Sequence, residues 1–449
     1  MAFKRKIYNE LLSWKNEPKK NSALLIEGAR RVGKTTIVKE FAKNEYKNFI
    51  YIDFTYATDE INEIFKRMNP NSKVAMDQFF ADLMLFFGKD LRKGDLIIFD
   101  EVQFFPRARQ AIKALVADGR FDYIETGSLI SIRENVKDIQ IPSEERRIEM
   151  HPMDFEEFCW AIGEDSKCDV LREIYKNKAS ISETTHQKMM NDFRLYLALG
   201  GMPKVVSLYL ETNSFARCEE EKRDILKLYE DDLRRHDTLS GTDTSSIYSS
   251  MLPSLQAWSK RVKTRARSLD IQKKYLRSLE DLQDSRIVNA VYRSSDISPL
   301  SLLKDKMAFK LYPLDAGLML SSLLNENSED AYKKIRLGKL DGANFGPLYE
   351  CLVAQSLVFK GKNVFYHTFE VEKEGKEKRY EIDFVTLSKG KLVAIETKST
   401  KRFSTSSLNA LDNKYPQLKI SKYVVSPKPL SFEGKIVYLP IYMLDLVDF

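Results

Sequence analysis

Between Ala23 and Thr126 short, almost wholly apolar runs alternate with stretches in which apolar positions recur every three or four residues. The runs are Ala23–Glu27, Phe49–Phe54, Leu96–Asp100 and Tyr123–Thr126. Strands covered on both faces read as unbroken apolar runs, and helical segments between them predict a parallel sheet. A short amphipathic helix over Arg5–Trp14 and a polar Lys/Asn/Pro linker precede it. From about Asp154 to Asn327 helical periods dominate, broken at Gly200–Gly201, near Gly241 and at Pro299. Tyr275, Leu276, Leu279 and Leu282 share one helix face. A strand-like Ile287–Tyr292 follows, a layout that suits a helix-turn-helix with a wing and equally two helices of a bundle. The final third returns to strands at Val364–Phe369, Glu381–Leu387, Leu392–Thr397 and Lys422–Ser426, after a helix over Leu348–Phe359. The predicted fold class is α/β, in three domains: 1–153 with the parallel sheet, 154–335 helical, and 336–449 α/β.

Composition narrows the class. With 449 residues the chain has length for roughly three domains and for a core that needs no disulfide or metal staples. Its 43% hydrophobic and 31% charged residues exclude a disordered or fibrous chain. A net charge of +7 permits nucleic-acid contact without arguing for it. Cys159, Cys168, Cys218 and Cys351 show neither zinc nor redox-pair spacing, so buried free thiols are expected. His151, His186, His236 and His367 are scattered and suggest no metal cluster or catalytic triad. The N-terminus lacks the apolar run of a signal peptide. The most apolar stretch, Phe79–Phe87, is too short to span a bilayer and holds Asp82. A cytoplasmic protein with no membrane partner is expected.

The first predicted strand runs into Gly28-Ala29-Arg30-Arg31-Val32-Gly33-Lys34-Thr35-Thr36, which a helix continues. Gly, four residues, Gly-Lys-Ser/Thr is the pattern of a P-loop, and strand–loop–helix is the context that gives it meaning. Backbone N–H groups close around phosphates, a lysine supplies a point charge, a hydroxyl ligates Mg²⁺, and the helix N-terminus adds partial positive charge. Residues Gly28 to Thr36 are therefore expected to bind ATP, with Lys34 on the phosphates and Thr35 on the metal. The third run ends in Asp100-Glu101, placing Asp100 to hold Mg²⁺ and Glu101 to polarise the attacking water. The fourth ends in Thr126-Gly127-Ser128, whose hydroxyls, Ser128 in particular, are candidates for a sensor beside the γ-phosphate. Arg133, Arg146 and Arg147 are candidates for a transition-state arginine, a group often supplied by a neighbouring subunit; hence a homo-oligomer is a candidate partner state.

These segments, with His151-Pro-Met-Asp-Phe-Glu-Glu-Phe158, Leu199-Gly-Gly-Met-Pro203 and Leu314-Asp-Ala-Gly-Leu318, make the chain resemble the prokaryotic AAA+-superfamily ATPases that carry a C-terminal domain of unknown function. The resemblance covers nearly the whole chain. It implies a P-loop NTPase core, a helical and winged-helix middle, and a C-terminal module similar to PD-(D/E)XK nucleases. One segment departs from many relatives: Ile141-Pro-Ser-Glu-Glu-Arg-Arg lacks their Gly-Arg pair, which leaves the arginine unassigned.

The last domain carries Glu350 on its helix, Asp383 in a strand, and Glu396-Thr-Lys398 in the next. Side chains at i and i+2 of a strand share a face, so Glu396 and Lys398 point together. With Asp383 on the neighbouring strand, the acids would surround a second divalent metal and Lys398 would activate water against a phosphodiester, the layout of PD-(D/E)XK nucleases. The same residues also fit a solvated face or a cross-strand ion pair. Lys401 and Arg402 beyond them suit a phosphate backbone or a charged loop. The expectation is an ATP-hydrolysing switch acting on DNA. The alternative is a nucleotide-dependent regulatory or scaffolding module whose C-terminal domain is catalytically silent and works through a protein partner.

Overall fold

The computed structural model describes residues 2–18, 21–128, 143–256, 269–297, 304–324, 328–338, 345–373 and 375–449. Arg133, one of the arginine candidates, lies outside the described residues, as does Pro299. The chain divides into two compact units: Met1–His151 with Asp284–Arg286, and Pro152–Gln283 with Ile287–Phe449. Among the described residues no helix is long and apolar enough to cross a membrane.

The first unit is built on strands β1 (Ala23–Glu27), β2 (Phe49–Asp53), β3 (Leu96–Asp100), β4 (Asp122–Gly127) and β5 (Glu145–Glu149), in the order β2-β3-β4-β1-β5. All pair in parallel, as the apolar runs predict. Every residue of β1 and β3 is buried, which accounts for runs without a polar alternation. The fifth strand, Glu-Arg-Arg-Ile-Glu, escapes an apolar reading because it lies at an edge and buries only Ile148. Charged side chains protect such an edge from pairing with another chain. The apolar stretch over Phe79–Phe87 lies within the helix Lys73–Phe87, which Ser72 caps and which buries Met76, Phe79, Phe80 and Leu83. These join an aromatic core in which Phe54 stacks on Phe105 at 4.8 Å between ring centroids. Each such side chain contributes about 1.5–3 kcal/mol by leaving water.

In the second unit the described strands form one eight-stranded sheet, in the order β12-β13-β11-β10-β9-β8-β6-β7. They are β6 (Val288–Ser294), β7 (Lys304–Pro313), β8 (Phe365–Lys373), β9 (Lys376–Ser388), β10 (Lys391–Thr397), β11 (Ile420–Ser426), β12 (Ser431–Glu433) and β13 (Ile436–Pro440). The strand read as a wing is β6. It pairs antiparallel with β7 and parallel with β8, so it is a member of this sheet. The sequence division at 335/336 falls within the unit. The helix Gly346–Phe359 is buried from Pro347 to Leu357, as its apolar residues on every side require.

Two of the motifs quoted for the family resemblance meet here. Asp315 accepts a 2.7 Å bond from the Gly201 amide, and a Cβ on Gly317 would stand 2.4 Å from the Gly200 Cα. Glycine at both places lets the two backbones touch. The third motif caps a helix: Asp154 accepts from the Glu157 amide at 2.9 Å while Glu157 reaches back to the Asp154 amide. Cys159, Cys168, Cys218 and Cys351 are buried free thiols, as expected. Cys159 on the helix Phe155–Ala161 and Cys168 on the helix Asp165–Lys176 are both buried and hydrogen-bond through their sulfurs. A helical hairpin closes the nine-residue gap that made them look unrelated. That bond, followed by burial, raises the Cys159 thiol far above its ordinary range and keeps it un-ionised.

Candidate functional site

The sheet order decides where the predicted chemistry meets. β4 lies between β1 and β3, so the tip of β4 stands between the glycine-rich loop after β1 and the acidic pair after β3. The helix Lys34–Glu45 starts at Lys34, with Gly33 before it in the left-handed region at a φ of 102°. Gly28 must be glycine, because a Cβ there would lie 2.2 Å from the Met150 carbonyl oxygen.

Lys34 is only 5% exposed and donates to the carbonyl oxygens of Gly28 at 2.9 Å and Ala29 at 3.0 Å. Its ammonium group thus lies along the loop that phosphates would enter. Burial pushes its pKa down, while Glu101 and Asp100 pull it back up. Asp100, at 1% exposure, accepts from three hydroxyls. The Thr35 Oγ1 and Tyr51 hydroxyl donate to Oδ2 at 2.8 and 2.5 Å, and Thr126 donates to Oδ1. Thr126 Oγ1 also accepts from the Glu101 amide at 3.2 Å, so one hydroxyl ties both acids to the neighbouring strand. Ser128, the residue read as the sensor, is buried just after β4. Glu101 takes a left-handed φ of 53°, a strain on the order of 1–3 kcal/mol for a residue with a side chain. Its carboxylate accepts from the Gln103 amide.

Sequence reasoning missed three contributors. Tyr51 is hidden inside an apolar strand; burial, and then the bond to Asp100, hold its hydroxyl protonated far above its usual range. Gln103 lies two residues beyond the acidic pair and carries no pattern of its own. Arg5 came from a helix with no chemistry attached, yet its guanidinium donates to the Val32 carbonyl at 3.1 Å and the His151 carbonyl at 2.6 Å. It therefore ties the phosphate loop to the residue at the end of the unit's main segment. The two described arginine candidates are engaged within the chain: Arg146 with Glu17, and Arg147 with Glu27 at 3.8 Å and Glu145 at 3.5 Å.

In the second unit Glu350, Asp383, Glu396 and Lys398 are drawn into one electrostatic cluster. Glu350 accepts from the Tyr312 hydroxyl at 2.9 Å, Asp383 from the Thr397 amide at 2.8 Å, and Glu396 from Lys398 at 2.8 Å. Burial and then Glu350 raise the pKa of Asp383; burial and then Asp383 raise that of Glu396 to about 8. A fifth member was not foreseen. Lys310 on β7 is wholly buried, bonds Glu381 at 2.7 Å, and keeps its charge because Glu350, Glu381 and Asp383 outweigh its desolvation.

The expected second divalent metal finds no support. Among the described residues no three His, Cys, Asp or Glu side chains are grouped to hold a metal ion. Lys310 and Lys398 both bring positive charge to these acids.

The parallel sheet, the glycine-lined turn and the acids facing it define a P-loop nucleotide-binding domain. Residues 20–159 match a family model described as an AAA domain, in agreement with the P-loop fold of this part of the chain. Residues 190–330 and 345–444 match two models described as domains of unknown function, DUF8612 and DUF4143. No curated protein matches the chain. Among solved structures the chain is similar to the Walker-type ATPase paby2304 of Pyrococcus abyssi, at 16% identity and a TM-score of 0.42, over 72% of this chain and 96% of that one. It is also similar to the Orc1 protein of Aeropyrum pernix, solved in complex with DNA, at 12% identity and a TM-score of 0.27, over 74% and 94%. A third is Cdc6p of Pyrobaculum aerophilum, at 13% identity and a TM-score of 0.22, over 74% and 92%.

Proposed function

We propose that the first unit binds ATP with Mg²⁺ and hydrolyses it. The observation that carries this reading is the single bonded chain Thr35–Asp100–Thr126–Glu101, which links the phosphate loop to both acids. An all-oxygen set of a threonine hydroxyl and a carboxylate, now satisfied by hydroxyl bonds, fits a hard divalent cation. Thr35 and Asp100 would hold Mg²⁺, which when bound neutralises phosphate charge. Lys34 leaves the carbonyls of Gly28 and Ala29 to meet the β and γ oxygens, and the amides from Gly28 to Thr36 surround the phosphates. Glu101 takes the proton of the attacking water, and Thr126, with Ser128 beyond it, orients the γ-phosphate side. In phosphoryl transfer the protein positions groups and neutralises charge, which suits a site made of fixed donors.

For the C-terminal domain the reading we favour is the silent one: a regulatory or scaffolding module without nuclease activity. Lys310 supports it, since a wholly buried ammonium among Glu350, Glu381 and Asp383 gives those acids a cation of the protein's own. DNA is then not a substrate of this cluster.

Two measurements test the pair of readings. Glu101→Gln should retain ATP affinity and lose turnover; wild-type turnover in that variant would remove the proposed base. A plasmid-nicking assay with Mg²⁺ or Mn²⁺ should show no cutting. Cutting that Asp383→Ala or Lys398→Ala abolishes would establish the nuclease reading instead.

A further inference from the structure

Gln103 is fully buried, in the short turn of 3₁₀-helix Val102–Phe104 that begins at Glu101. This turn is closed by the Phe104 amide bonding the Glu101 carbonyl at 3.0 Å, and the Phe105 amide bonding the Val102 carbonyl at 3.0 Å. It brings the Gln103 side chain back so that its amide Nε2 donates to Oε2 of Glu101. The amide oxygen of Gln103 finds no partner among the described residues. A buried amide with an unsatisfied oxygen is costly, and it persists where its other end has a task. Glu101 itself stands on strained backbone, anchored by its own amide to Thr126. Its two anchors leave one carboxylate oxygen, Oε1, for a water.

We propose that Gln103 is a positioning residue for ATP hydrolysis, fixing the rotamer of Glu101 so that Oε1 faces the attacking water. The inference rests on Glu101 being the base, as proposed above. Gln103 touches neither ATP nor water; it acts through Glu101 alone. A carboxylate on a side chain with three rotatable bonds otherwise samples several directions, and reactions of this kind lose rate steeply when the acting group is misplaced by about 1 Å.

The test is steady-state ATP turnover and equilibrium nucleotide binding of the full chain carrying Gln103→Leu, Gln103→Asn or Glu101→Gln. Leucine keeps the apolar packing and removes the amide; asparagine keeps the amide on a shorter arm. Gln103→Leu should lower kcat about tenfold, within the range that positioned groups contribute, and leave KM and ATP affinity within about twofold. Gln103→Asn should recover part of the lost kcat. A merely structural role would lower affinity, kcat and thermal stability together, with no recovery by asparagine, and that pattern would overturn the proposal. So would a Gln103→Leu kcat equal to or above wild type while Glu101→Gln is inactive. If Glu101→Gln itself turns over normally, the assignment of the base has failed, and the two failures are told apart.

Discussion

The phosphate loop and the C-terminal charge cluster use the same residue types in opposite ways. Each sets lysine against buried carboxylates. At the loop, Lys34 bonds neutral carbonyls and Asp100 is satisfied by neutral hydroxyls, so lysine and acid are kept from pairing with each other. Neutral partners are exchangeable: a phosphate can replace a carbonyl on Lys34, and a cation can replace a hydroxyl proton on Asp100. In the C-terminal cluster Lys398 bonds Glu396 and Lys310 bonds Glu381 directly. Charge meets charge there, and a ligand would have to break an ion pair to enter. The difference separates a site whose charges bond neutral, exchangeable groups from a cluster whose lysines bond acids directly.

The largest expected effect breaks the first half of that comparison. Lys34→Ala removes the positive charge facing the transferred phosphate and should lower ATP turnover by about 10²–10³-fold, read by phosphate release. Next, Lys310→Met tests the second half. Removing one member of a buried ion pair leaves uncompensated charge, so chemical denaturation should show a loss of about 3–5 kcal/mol. A loss below about 1 kcal/mol would show that Lys310 does not balance the acids.

A smaller contrast lies in pH. Burial, with Arg286 and Arg5, depresses His151 from 6.5 to about 4. A depressed folded-state pKa contributes stability that is present above pH 6.5 and is lost as pH falls toward about 4. Glu396 runs the other way, raised from 4.5 to about 8, so its contribution is present below about pH 4.5 and is lost as pH rises through about 8. His151→Gln should flatten the acid limb of a melting-temperature profile, and Glu396→Gln the limb between about pH 4.5 and 8. Shifts of a few degrees are expected, at roughly 2–4 °C per kcal/mol for domains of this size. Unaltered limbs in both variants would remove this contrast.

Legibility differed between the two regions for a physical reason. The glycine-rich loop, its lysine and its threonine are consecutive, because backbone amides of one turn must close around one phosphate. Asp100 and Glu101 were readable because a fully buried strand that ends in two acids is conspicuous. Tyr51 was not, since its ring satisfies the apolar pattern and only the sheet order reveals its hydroxyl against Asp100. Glu350, Asp383, Glu396 and Lys398 were each identified, and the structure draws them together. Lys310 was missed because it precedes the cluster by forty residues on a strand that the pattern left unassigned.

The sequence alone determined the parallel α/β core and the phosphate loop, because burial on both faces and a one-turn anion cradle leave local patterns. Tertiary structure decided which strand stands between loop and acids, which cysteines meet, and which cation fills the acidic cluster. Those depend on contacts between residues far apart in the chain, and no local periodicity encodes them.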